Sequence, residues 1–337
     1  MSKMNFYPCM IFDAVCYLQQ RFFDNREYLL KDEFAFIEKM NALTDGKLDD
    51  KCLGMSNLCY ILSTYTDNNN IQHCTLDDLA AIFSNPNDIS KVVRAKITND
   101  FLQSIMFPSL EWLTDGGAAM YVRHIAVLKE VGFDTLWKSE LLPGVNEAIA
   151  GNVEYAKRFD IDTMFYHIQQ MKNIAAISDC NVYVSFLSYP VAFSLYDNCF
   201  LSCIGSYVRV DLIAHELMHG FASKELTDEY LKFVSKNEFL AENHQKLIEY
   251  SGNEEEFCVA VGLYLGYLAK SETRESAMYN AKNTRNCPLS VIILDMLIKE
   301  ETAPADYNAW LIRKFKDRAF PSDEEGADGI ETYIASL

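Results

Sequence analysis

His215-Glu216-Leu217-Met218-His219 sets two imidazoles one helical turn apart around a carboxylate. On a helix, residues i and i+4 share a face, so His215 and His219 can grip a single ion together. Glu216 projects at the edge of that face, beside the ion, where it could take a proton from water that the ion polarises. The flanks make a chance arrangement hard to sustain. Leu212, Ile213 and Ala214 precede the motif, and Gly220 and Phe221 follow it. The polar side chains of this apolar run stand at the positions that a metal site needs. An apolar helix does not bury His, Glu and His without partners, so the competing reading is a buried structural hydrogen-bond cluster.

The run from Val210 to Phe221 resembles the active-site helix of the zincin metallopeptidases. The likeness is specific over this helix, suggestive over 181–267, and does not reach the residues before that. It implies a peptidase holding one Zn2+ per chain, with His215 and His219 as ligands and Glu216 as general base. The third ligand decides the branch. Where metzincins continue the motif with Gly and His, this chain has Ala222 and Glu225, and Asp228 lacks the Gly context of deuterolysin-like enzymes. The gluzincin-like branch takes a Glu from a following helix, and two places offer one. Glu238 lies at the aminopeptidase-type spacing from His219, but Phe239-Leu240-Ala241 replaces the expected Gly-Phe-Ala. The stretch Asn253 to Leu265 resembles a Glu-Glu-Phe-Ala-Glu-Ala-Phe ligand helix, in which Glu255 takes the ligand position.

Helical geometry also favours Glu255. It shares a face with Val259, Gly262 and Gly266, and the two glycines would let this helix approach another backbone closely. Glu256 shares a face with Ala260, Leu263 and Tyr267, and Glu254 with Cys258, Val261 and Leu265. The Glu triplet would also complement the positive end of the helix dipole. Glu238, Glu256 and Glu254 therefore stay open as ligands beside Glu255. A Tyr donor for the oxyanion could be Tyr250, Tyr230, Tyr207 or Tyr264, with Tyr250 the favoured one.

Upstream, Val182, Val184 and Phe186 alternate with Tyr183, Ser185 and Leu187, the pattern of a half-buried strand. Two further short runs, 193–196 and 199–204, flank Asp197-Asn198, a tight hairpin turn. Gly205-Ser206 offers an N-cap for the motif helix. In zincins an edge strand before this helix pairs with extended substrate, a role the resemblance gives to Cys199–Ile204 or its hairpin partner. Before this region the chain reads as helices, in Ile11–Phe23, Tyr28–Met40, Leu110–Val131 and Val145–Met171. Beyond Leu268 helices return in Val291–Leu297 and Ala309–Phe315, placed to brace the ligand helix. The expected fold is α+β and predominantly helical. A helical N-terminal region (1–177), shaping a cleft wall or selecting substrate, precedes a zincin-like domain (178–337) with a small antiparallel or mixed sheet.

The bulk numbers bound the partners. The 337 residues carry a net charge of −18, which argues against a nucleic-acid footprint and against anionic membranes. Pro8 and Asp13 interrupt any signal-like apolar run, and no stretch is long and apolar enough to span a bilayer. Ten cysteines occur without a C-x-x-C, several inside apolar helices, which fits a reducing cytoplasm. The expected partner is a peptide or protein substrate, cut by a zinc hydrolase. The alternative is a catalytically silent zincin-like scaffold that binds peptides or proteins, and a metal-dependent amidase is a third reading.

Overall fold

The computed structural model describes residues 4–20, 42, 53–67, 70–98, 100–175, 177, 179–188, 192–204, 209–249, 251–300, 302–321 and 329–337. The chain is mostly helical, with one four-stranded mixed sheet, and divides into two compact units. One gathers Lys3–Glu154 with Asp179–Tyr207, and the other gathers Tyr155–Ser178 with Val208–Leu337. The sequence reading cut the chain once, at 177/178. The contacts instead group the strand segment with the N-terminal helices.

In the first unit the sheet runs in the order β1 (Met4–Pro8), β2 (Cys180–Ser185), β4 (Cys199–Cys203), β3 (Phe193–Leu195). β2 lies parallel to both neighbours, and β3 and β4 form the antiparallel hairpin foreseen around Asp197-Asn198. The last ladder pair is Leu195–Cys199, so the loop is Tyr196-Asp197-Asn198, and Asp197 and Asn198 both take left-handed φ, +55° and +56°. One expectation changes: β2 is buried on both faces, not half-buried, as parallel strands covered on either side are. Of the two hairpin strands offered as the edge, β4 is interior and its partner β3 is at an edge; the other edge is β1, a strand the sequence reading did not foresee.

Among the described residues the α-helices of this unit include α1 (Met10–Gln20), α2 (Met55–Thr66), α3 (Leu76–Phe83), α4 (Pro86–Lys96), α5 (Asp100–Trp112), α6 (Ala118–Val131), α7 (Phe133–Leu136) and α8 (Leu142–Ala156). The predicted helix Leu110–Val131 is broken at Asp115-Gly116-Gly117, where Gly116 takes φ +114°. The predicted helix at 28–40 lies outside the described residues. Asp13, fully buried on α1, accepts from Trp137 Nε1 at 2.7 Å, Ser185 Oγ at 2.5 Å and the Leu187 amide at 2.9 Å. Burial pushes its pKa up, and these donors pull it back. The network ties α1 to the end of β2 with every carboxylate oxygen engaged.

The second unit holds α9 (Ile161–Lys172), α10 (Val210–Met218), α11 (Lys224–Val234), α12 (Glu238–Leu247), α13 (Glu255–Leu268), α14 (Arg274–Asn283), α15 (Pro288–Lys299), α16 (Tyr307–Lys316) and α17 (Gly329–Ser336). The single predicted helix Val145–Met171 is in fact α8 and α9, the latter begun by Asp160, whose side chain accepts from the Thr163 amide. Ser223, Asn237, Thr273 and Asp306 cap α11, α12, α14 and α16 in the same way. α13 is apolar all round and buried from Glu256 to Gly266, the signature of a helix at the centre of its unit. It packs on α10 and is braced by α14 and α15. A Cβ on Gly262 would stand 2.7 Å from the Asp211 carbonyl oxygen and 2.8 Å from His215 Cβ. The glycine is what brings α13 against α10. Among the described residues no helix is long and apolar enough to cross a membrane.

Candidate metal centre

α10 carries the motif and stops on its second histidine. His219 already has ψ 145°, and Gly220 turns the chain away with a left-handed φ of +79°. The close approach of α13 sets the first residue of that helix, Glu255, against both imidazoles. His215 Nε2 and His219 Nε2 are 3.1 Å apart. Glu255 Oε1 lies 3.5 Å from His215 Nε2, and Oε2 lies 3.7 Å from His219 Nε2. Tetrahedral donors about 2.0–2.1 Å from a zinc ion stand roughly 3.3 Å from one another, and the three separations bracket that value. The Glu216 carboxylate also lies within 4.8 Å of the two histidine nitrogens. The side chains of His215, His219 and Glu255 are 12%, 26% and 21% exposed, so the cluster opens to solvent.

Around this cluster sit groups that fix its orientation. Glu254 Oε1 meets His219 Nδ1 at 3.1 Å and accepts from the Gly220 amide at 2.7 Å, while Oε2 accepts from the Ala222 amide at 3.4 Å. Burial works against its charge, yet the His219 contact and the two amides hold its pKa below the usual carboxylate range. An anionic Glu254 fixes a proton on His219 Nδ1, so that it is Nε2 that would give up its proton to a metal. Ser251 Oγ donates to Glu255 Oε2 at 2.7 Å. Lys172 Nζ donates to the carbonyls of Leu217 and His219 at 2.7 and 2.8 Å, capping the end of α10 with positive charge. Burial, together with the neighbouring His219 charge, pushes the His215 pKa down and favours a neutral imidazole; on His219 burial acts the same way, but Cys258 and Glu254 outweigh it and push the pKa well up, so a metal would have to displace a proton there.

The carboxylates left open by the sequence now separate. Glu254 faces His219 Nδ1, on the far side of the ring from Nε2. Glu256 is fully buried and turned away, accepting from Tyr230 Oη at 2.7 Å and from the Leu289 amide at 2.9 Å, with burial pushing its pKa up to about 7. Glu238 is exposed at the start of α12, and among the described residues no hydrogen bond or ion pair joins it to either histidine. Of the tyrosines, Tyr230 is engaged with Glu256, whereas Tyr250 and Tyr207 lie outside the described residues; α10 begins later than expected, with Arg209 and not Gly205-Ser206 at its N-cap and no side-chain capping bond.

A second cluster of possible ligands joins His219, Glu254 and Cys258, whose Sγ is 3.6 Å from His219 Nδ1. Burial pushes the Cys258 thiol up to about 12, so it stays protonated, and Glu254 is already saturated by amides. The Nε2 side, with two imidazoles and the Glu255 carboxylate, is the better donor set. Glu254→Gln is expected to weaken metal affinity about 10- to 100-fold by competition against a chromophoric chelator, with stoichiometry unchanged at saturating metal.

The sequence reading missed Glu254 as an orienting group, and it missed Lys172 and Ser251 altogether. The run Glu254-Glu255-Glu256 carried a signal for the first, since consecutive helical residues cannot all face one ion. No spacing pattern links Lys172 to the motif. No family model, curated protein or solved structure was found that matches the chain.

Proposed function

We propose that the chain is a zinc-dependent metallopeptidase of gluzincin-like type, with His215, His219 and Glu255 holding one Zn2+ and Glu216 acting as general base. The observation that carries this reading is the convergence of His215 Nε2, His219 Nε2 and the Glu255 carboxylate at the spacings of a tetrahedral donor set. Bound zinc supplies Lewis acidity, which polarises a carbonyl and brings the deprotonation of water toward neutral pH.

The chain's own residues do the rest. Glu216 accepts the proton of the attacking water and returns it to the leaving amine, a role that needs a carboxylate beside the donor set and not within it. Glu254 holds the His219 ring, and Ser251 holds one oxygen of Glu255, so that neither ligand reorganises during turnover. The substrate is a peptide or protein. The nine described cysteines are free thiols, all buried but Cys74, which supports a reducing cytoplasm as the working compartment.

Glu216→Gln tests the assignment. It is expected to keep the metal content of the wild type while hydrolysis of a peptide library falls by about 10²- to 10⁴-fold. Full activity in this variant would overturn the mechanism. Peptide binding without turnover by the zinc-loaded wild type would assign a silent scaffold instead.

A further inference from the structure

α10 does not close in the usual way. Where a left-handed glycine follows a helix, its amide normally returns to a carbonyl of the last turn. Gly220 has the left-handed φ, +79°, but its amide donates to Glu254 Oε1 at 2.7 Å. The carbonyls of Leu217 and His219 accept instead from Lys172 Nζ, at 2.7 and 2.8 Å.

The two contacts meet on one peptide group. Lys172 holds the carbonyl of the His219–Gly220 peptide, and Glu254 holds its amide. A cation from α9 and an anion beside the first turn of α13 thus grip it from opposite ends. Glu254 also meets the ring of the same histidine, at Nδ1, 3.1 Å away. Backbone and ring of His219 are fixed together. A residue just past a helix end, as His219 is with ψ 145°, lacks the intrahelical bonds that would otherwise hold its backbone. A cation serving the dipole of α10 alone would need only to lie near the last turn, whereas Lys172 is seated on two named oxygens.

α9 is laid out to deliver that lysine. α10 and α13 run antiparallel, since Gly266 of α13 faces Asp211 at the start of α10 while Glu254 and Glu255 face His219 at its end. α9 packs on both. At its start the Asp160 amide donates to the Ala269 carbonyl, just past the end of α13, at 3.0 Å. At its other end stands Lys172. The 12 residues of α9 rise about 18 Å and the 14 of α13 about 21 Å, so α9 spans the pair from the far end to the metal end.

We propose that Lys172 is a positioning residue of the metal centre, which with Glu254 clamps the His219–Gly220 peptide and so aims His219 Nε2 at the ion. The role rests on the zinc reading of this site and adds α9 to the elements that build it.

Lys172→Met keeps the length of the side chain and removes its donors. Competition against a chromophoric chelator is expected to show zinc affinity weaker by about 10- to 100-fold. Asp160→Ala, which removes the cap at the opposite end of α9, is expected to lower Tm and leave zinc affinity unchanged. Lys172→Met combined with Glu254→Gln tests the clamp itself. Two side chains acting on one peptide are non-additive, so the joint loss of affinity is expected to fall well short of the product of the single losses. Losses that multiply overturn the proposal, as does wild-type affinity in Lys172→Met or an equal loss in Asp160→Ala. In the metal-free protein, the His219 Nδ1 proton is expected to give a downfield resonance, lost in Lys172→Met and kept in Asp160→Ala. Its survival in Lys172→Met also overturns the proposal. If the wild type binds no zinc, the peptidase reading falls, and this resonance still decides the clamp.

Discussion

Glu255→Ala is expected to release the metal, whereas Glu238→Ala retains it. Elemental analysis of the purified wild type should give about one zinc per chain, and competition against a chelator should show affinity falling by on the order of 100-fold or more in Glu255→Ala. The magnitude follows from the geometry. Glu255 is the carboxylate whose two oxygens lie 3.5 and 3.7 Å from the two Nε2 atoms. Its loss leaves two imidazoles, and neither neighbour can take its place. Glu254 is held by His219 Nδ1 and two amides, and Glu256 is held by Tyr230 and the Leu289 amide on the opposite side of α13. Zinc retained at wild-type affinity in Glu255→Ala would remove Glu255 from the site. Zinc lost in Glu238→Ala, with Glu255→Ala unaffected, would move the third ligand to α12.

The second large effect comes from a methyl group. Gly262→Ala is expected to destabilise the protein by about 1–3 kcal/mol and to weaken zinc binding at the same time. The added Cβ would meet the Asp211 carbonyl oxygen at 2.7 Å, His215 Cβ at 2.8 Å and His215 Cα at 3.0 Å. Backbone atoms of a packed helix cannot step aside as a side-chain tip can, so α13 must back away from α10. That movement draws Glu255 from the imidazoles. Gly266→Ala supplies the comparison. Its nearest neighbours are Asp211 Cβ at 3.0 Å, a single backbone-fixed contact at the edge of clashing, and the movable side-chain atoms Ser271 Oγ at 3.2 Å and Glu272 Cγ at 3.3 Å. Its expected cost is at most about 1 kcal/mol. Thermal denaturation of both variants, with and without zinc, reads the difference. Equal and small losses of Tm would show that the α10–α13 contact does not limit the site.

Local pattern made much of this molecule legible in advance. The i, i+4 spacing puts His215 and His219 on one helix face wherever that helix lies. The face shared by Glu255, Gly262 and Gly266 marks both the contact surface and the carboxylate nearest to it. Asp197-Asn198 sets its own hairpin, because both residues tolerate the left-handed backbone that such a turn demands. Net charge and the absence of a long apolar run need only a count.

Other features depended on chain segments far apart in sequence. β1 is five residues with no alternation to read, and it exists as a strand because Asn181 to Val184 give it partners some 175 positions away. Pairing on both sides made β4 interior, where the local pattern of a hairpin allows either strand to be the edge. Glu254 turns to His219 Nδ1 and not to the ion side because Gly220 bends the chain and presents an amide to it. Lys172 reaches the end of α10 from 45 residues upstream. Residue types and their spacing name the groups able to bind a metal, since helical periodicity is a local property of the chain. Which carboxylate meets the imidazoles, and which one merely holds them, is set by the packing of α13 on α10, and packing is long-range.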